Sequence, residues 1–95
     1  MGGSIGAVVI GEGMERVIAY ANVSGAGYYA GLPRDMQPFF FSDNKRWINE
    51  AMDQECRILD IGSDGREKPS IYYAMEHEQI YGRRYEWYFP VPWAP

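Results

Sequence analysis

A carboxylate at position 76 interrupts the apolar and aromatic run Ile71-Tyr72-Tyr73-Ala74-Met75. Ser70 and Tyr73 precede Glu76 at spacings of three, so on a helix the three side chains share one face. A serine, a phenol and a carboxylate facing a cleft can bind a ribose and stabilise a developing positive charge. The same carboxylate can instead activate water. Asp60 closes the strand-like run Ile58-Leu59-Asp60-Ile61-Gly62, with Asp64 in the polar loop beyond it. The catalytic candidates are therefore Glu76, Asp60 and Tyr73. Each candidate on this helix also has a purely structural reading: Ser70 as an N-cap, Tyr73 as core packing, Glu76 as a solvated acid.

A second constellation opens the chain. Val8-Val9-Ile10 runs into Gly11-Glu12-Gly13, after which a helical pattern begins. A helix N-terminus presents free N–H groups and a positive dipole end, which suits a phosphate. A dinucleotide fingerprint needs a third glycine where this chain has Arg16, and Glu12 puts negative charge where the anion would sit. As a phosphate cradle the motif is weak, and a tight strand-to-helix turn accounts for the glycines more simply. Ligands of parallel α/β sheets bind beyond the carboxyl ends of the strands, so even a plain corner would lie on the functional edge. Gly11, Glu12, Gly13, Ser70 and Arg46 are accordingly the substrate-binding candidates, with Arg46 placed to reach a phosphate.

Metal and thiol chemistry find less support. One histidine, His77, and one cysteine, Cys56, cannot build a zinc site. Glu12, Asp60, Asp64 or Glu76 could hold a magnesium, though no spacing demands it, and the sequence leaves any cofactor open. Cys56 begins a buried strand, where inert packing is expected.

These residues need elements to position them. Ile5 to Ile10 reads as a strand buried on both faces, and Met14, Val17, Ile18 and Ala21 mark one stripe of a first helix. Gly25 can end that helix in the left-handed conformation. Tyr28-Tyr29-Ala30 forms a short second strand, broken by Gly31 to Asp35; Met36 to Phe41 fits either a strand or an anchored loop. Ser42 or Asp43 caps a second helix with Trp47, Ile48, Ala51 and Met52 inward. A third strand spans Arg57 to Gly62. A third helix starts at Ser70, turns Ile71, Met75 and Tyr72 inward and stops at Gly82, and a last strand covers Tyr85 to Val91. Pro90, Pro92 and Pro95 place that strand at an edge. The order β-α-β-α-β-α-β predicts a small single α/β domain over residues 5–95 with a mostly parallel sheet, residues 1–4 being a linker or cloning scar.

Composition bounds the function. The 95 residues are 46% hydrophobic and 16% aromatic, enough for one core but not for two. A net charge of −4 with dispersed cations disfavours sequence-independent nucleic-acid binding. No apolar run approaches the roughly 20 residues of a membrane span, and no signal peptide is visible.

Several of these segments together resemble the C-terminal toxin domains of bacterial polymorphic toxins, the variable tips of Rhs/YD-repeat and contact-dependent effectors. The pattern comprises Val9-Ile10-Gly11, Met14-x-Arg16-Val17, Asn44-x-Arg46-Trp47-Ile48, Ile58-x-Asp60-Ile61-Gly62 and Ser70-x-x-Tyr73-x-x-Glu76. Where such tips carry a glycine before the Ile-x-Asp-Ile-Gly strand, this chain has Glu55-Cys56. The resemblance implies a domain secreted as part of a larger effector and active in the cytoplasm of a target cell. It also implies a cognate immunity protein covering the active edge. With Glu76 opposing an oxocarbenium-like centre, the expected activity is glycosidic-bond hydrolysis on NAD or another small nucleotide. The alternatives are a small nuclease, using Asp60 and Glu76 with Arg46 or Arg84 on phosphate, and a non-enzymatic immunity or inhibitor module displaying Tyr81, Tyr85 and Trp93.

Overall fold

A computed structural model describes residues 6–90. Two parallel strands form its centre, β1 (Ala7–Ile10) and β2 (Arg57–Asp60), with Ala7 opposite Arg57 and Ile10 opposite Asp60. Alternation along a strand sends successive side chains to opposite faces. Val8 and Ile10, with Ile58, meet Ile48 and Met52 of α2 (Phe40–Asp53) and Met75 and Ile80 of α3 (Ile71–Gly82). Val9 meets Val17 and Ala21 of α1 (Met14–Ser24) and Ile61 on the other face. The sheet is thus covered on both sides, which is why β1 is continuously apolar rather than alternating.

The α/β class and the three helices follow the sequence pattern, but the sheet has two strands and not the four expected. The predicted strand at Tyr28–Ala30 is reduced to one bridge, at Gly27, whose N–H and C=O bond Ala7 and Val9. Beyond it the Tyr29 side chain goes to Asp43 and Trp47, and Gly31, at φ 87°, bends the chain away. The predicted strand at Tyr85–Val91 pairs only at Tyr88, which bonds Ile58 and Asp60. A parallel ladder repeats every second residue, so its next donor would be residue 90, a proline without an N–H. Val91 and Trp93 lie outside the described residues. Across its width the sheet still runs Gly27–β1–β2–Tyr88, all parallel.

Helix boundaries follow local chemistry. Gly25 ends α1 at φ 75° and returns its N–H to Ala21, as expected. Neither Ser42 nor Asp43 caps α2, because a 3-10 turn, Arg34–Phe39, runs directly into it at Phe40. The Ser42 hydroxyl donates to the Phe39 carbonyl, while Asp43 serves Tyr29 and Arg46. Ser70 does cap α3, accepting from the Tyr73 N–H at 3.4 Å. Met75 is buried, but Ile71, one turn earlier at the first residue of α3, is 63% exposed. Glu55, just before β2, adopts φ 59°, the left-handed conformation a glycine takes without strain.

Candidate functional site

Beyond the carboxyl ends of β1 and β2 the two loops close on each other. Gly11 is required there by space: a Cβ would stand 2.5 Å from Ile61 Cγ1. Gly13, at φ 84°, starts α1 in a conformation that disfavours side chains. Between them Glu12 is buried, and its carboxylate accepts from the Ser63 hydroxyl (2.6 Å), the Asp64 N–H (3.2 Å) and the Ser70 N–H (2.6 Å). The Ser63 hydrogen bond, then that from Ser70, hold its pKa below the ordinary carboxylate value against the opposing effect of burial. Arg16 reinforces the junction by donating to the carbonyls of Glu12 (2.6 Å) and Ile61 (2.8 Å).

The glycine corner therefore supplies an anion instead of receiving one. Glu12 fills the backbone donors that lead into α3, including that of its cap residue. Asp64 comes close to the start of α1, where its Oδ2 would lie 3.3 Å from a Cβ built on Gly13. Helix N-termini attract negative charge, and here the chain's own carboxylates stand beside both. Glu12 belongs primarily to the scaffold, although it also lines the space next to it.

That space is a cavity of about 330 Å³ at the expected sheet edge. Gly11, Glu12 and Gly13 contribute one wall, Ser70, Tyr73 and Glu76 another, and Tyr29, Phe40 and Asn44 close it from the loop and α2. Six of the eight candidates from sequence (Gly11, Glu12, Gly13, Ser70, Tyr73 and Glu76) thus share one hollow. Arg46 does not: it stands exposed on α2, paired with Asp43 three residues earlier. Asp60 is not in the wall either. It is fully buried, with Oδ1 accepting from the Gly62 N–H (2.8 Å) and the Tyr73 hydroxyl (2.6 Å) and Oδ2 bonded to His77 Nε2 (2.7 Å).

This geometry redistributes the roles. Asp60 ties β2 to α3, and the hydroxyl of Tyr73 is committed to it; burial first, then Asp60, raise the phenol's pKa further from any reactive range. Both are positioning groups. Glu76 differs. It is 6% exposed, and burial, with a smaller contribution from Asp60, pushes its pKa up to about 8 despite an opposing hydrogen bond from Asn44. At neutral pH its carboxyl is mostly protonated.

Asn44, Tyr29, Arg66 and His77 carry more of the site than the sequence suggested. Asn44 sits four residues before Ile48 and seven before Ala51, on the buried stripe of α2, and that spacing was the available signal. Arg66, the cation of the wall, is bound to Asp64 through Nε (2.9 Å) and Nη2 (2.6 Å) and lies 4.0 Å from Glu12. His77 was recognisable only as a lone histidine; its contact with Asp60 arises from packing. Cys56 is half-buried against the core. Among the described residues no three His, Cys, Asp or Glu side chains are grouped to hold a metal, and no helix is long and apolar enough to cross a membrane.

Fold and cavity together define a small α/β domain, three helices on a two-stranded parallel sheet, with a buried acid in a ligand-sized hollow at the strand ends. Compared with family models, curated proteins and solved structures, the chain matches none.

Proposed function

We propose that this chain is the enzymatic tip of a bacterial polymorphic toxin, and that it hydrolyses the glycosidic bond of a nucleotide-type substrate with Glu76 as its acid. The observation that carries the reading is the buried Glu76 carboxyl, held near pKa 8 in the wall of the cavity. A general acid works best with a pKa near the working pH. In the resting site Glu76 holds the proton a departing base needs. As the bond from C1′ to the base nitrogen breaks, its electron pair stays on the base, which takes that proton. The resulting carboxylate then faces the oxocarbenium-like centre. Water adds to C1′, and its proton returns to Glu76. The aromatic walls, Tyr29, Phe40, Tyr72 and Tyr73, suit a planar base.

The nuclease alternative gains less from the geometry. Asp60 is enclosed by its own donors, and neither Arg46 nor Arg84 is in the cavity wall. The test is expression in bacteria with nucleotide and nucleic-acid profiling. Growth arrest with release of free base, RNA and DNA staying intact, is the expected outcome. Glu76→Gln should lower base release by about 10²–10⁴-fold and relieve the arrest, while Arg46→Ala should leave both unchanged. Cleaved RNA or DNA would select the nuclease, and harmless expression of the intact domain would favour an interaction module.

A further inference from the structure

We infer that the cavity is a binding site for a small organic cation, an apolar ring or alkyl body carrying one protonated or quaternary nitrogen, with Glu76 supplying the countercharge. The inference concerns what the hollow holds, and it stands whether or not a glycosidic bond is cut there.

Buried carboxylates are ordinarily matched by a cation or saturated by hydrogen-bond donors. The other two buried acids at this sheet edge obey that rule. Glu12 accepts from Ser63, Asp64 and Ser70 and has Arg66 at 4.0 Å. Asp60 is bonded to Gly62, Tyr73 and His77. Glu76 is 6% exposed in the cavity wall, yet no Lys, Arg or His side chain among the described residues pairs with it. The place left for a countercharge is the cavity itself. A cation seated there favours the ionised carboxylate, and the proton that Glu76 holds at rest leaves to solvent. A hydrolase that relies on that proton would be inhibited by such a ligand.

The rest of the wall suits the same occupant. Among the described residues Arg66 is the one cation in the wall, and Asp64 binds it through two nitrogens, at 2.9 and 2.6 Å. Asp64, Glu12 and Glu76 thus set three acids against one guanidinium, and the field in the hollow is negative when they are ionised. Cations are also drawn to aromatic faces, and quaternary ammonium ligands are recognised in this way. Tyr29, Phe40, Tyr72 and Tyr73 place four rings in the wall. The hydroxyls of Tyr29 and Tyr73 donate to Asp43 and Asp60, each at 2.6 Å. A phenol that donates to a carboxylate has the more electron-rich ring. About 330 Å³ lies at the small end of ligand pockets, which run from roughly 300 to 1,000 Å³, and gives room for one ring and its substituent.

The experiment titrates the intact chain at pH 7 with benzylammonium, benzyl alcohol and benzoate, three single-ring probes of similar size and opposite or no charge. Amide NMR follows binding and maps it on the chain, and base release from nucleosides is assayed separately. Benzylammonium should bind at millimolar concentration or below, roughly tenfold or more tightly than benzyl alcohol, and benzoate should not bind. The shifted amides should include those of Gly11, Gly13 and Tyr73. Glu76→Gln keeps the shape and removes the charge; it should weaken benzylammonium roughly tenfold and leave benzyl alcohol within about twofold, with the circular dichroism spectrum retained. If that variant does not fold, the three-probe comparison and the shift map on the wild-type chain decide alone. No benzylammonium binding at millimolar concentration would overturn the inference. So would equal binding of benzyl alcohol or benzoate, shifts confined to another surface, or undiminished benzylammonium binding by folded Glu76→Gln. Base release without cation binding would remove this inference and leave the hydrolase. Glu76-dependent cation binding by a chain that releases no base would do the reverse.

Discussion

Replacing Glu12 by Gln tests whether the glycine corner is held by a carboxylate clamp. The side chain keeps its shape, but one acceptor oxygen becomes an NH2 group. If the nitrogen replaces Oε2 it faces the Ser70 N–H, and if it replaces Oε1 it faces the Asp64 N–H. Either orientation leaves one buried backbone donor unpaired, at about 1–3 kcal/mol. The remaining hydrogen bonds lose their charge assistance, roughly 1 kcal/mol between a charged and a neutral acceptor. A total near 3 kcal/mol is a large share of the ~5–15 kcal/mol that stabilises a domain. Urea unfolding of both proteins, followed by tryptophan fluorescence at pH 7 and pH 3, measures it. Because the folded-state pKa of Glu12 is depressed, its contribution is present above the free-acid value of 4.5 and is lost as pH falls through the folded value. The gap between wild type and variant should therefore shrink at pH 3. A variant within about 0.5 kcal/mol of wild type at pH 7, or a gap that does not respond to acid, would refute the clamp.

Further outcomes follow from the same geometry. Glu76 behaves oppositely to Glu12: its raised folded-state pKa stabilises the protein below the free-acid value and that contribution is lost as pH rises to about 8. Wild-type stability should fall by up to about 1.4 kcal/mol per pH unit across that window, and Glu76→Gln should lack the slope; parallel stability curves would contradict the assignment. Gly11→Ala drives a Cβ against Ile61 at 2.5 Å and should destabilise by about 1–3 kcal/mol, measured by thermal melting. Glu55→Gly should be neutral or stabilising by up to about 1 kcal/mol, since it relieves a left-handed residue at φ 59°; a clear loss of stability would show that the Glu55 side chain contributes more than its backbone strain removes.

Much of the scaffold was readable from local chemistry. The apolar run Val8–Ile10, the stripe Val17/Ala21, the caps at Gly25 and Ser70 and the triplet spacing of Ser70, Tyr73 and Glu76 are short-range signals, and each describes the element observed. The extent of the sheet was not readable, because pairing at Gly27 and Tyr88 depends on where Tyr29 finds its partner and on Pro90 meeting the ladder at its next donor. Arg46 was misplaced for a related reason: a charge on a helix gives no sign of which side of the molecule that helix face will occupy.

Chain order and residue type were sufficient to place a bent, glycine-bearing junction and an acid-bearing helix at the same edge of a parallel sheet, since hydrophobic periodicity and capping act over a few residues. The division of labour among the acids came from packing across long sequence separations. Glu12 meets Ser63 and Ser70, Asp60 meets Tyr73 and His77, and Glu76 is buried beside Asn44. Burial and donors, set by those distant contacts, make one carboxylate a strut, one a hub and one a buried acid of raised pKa.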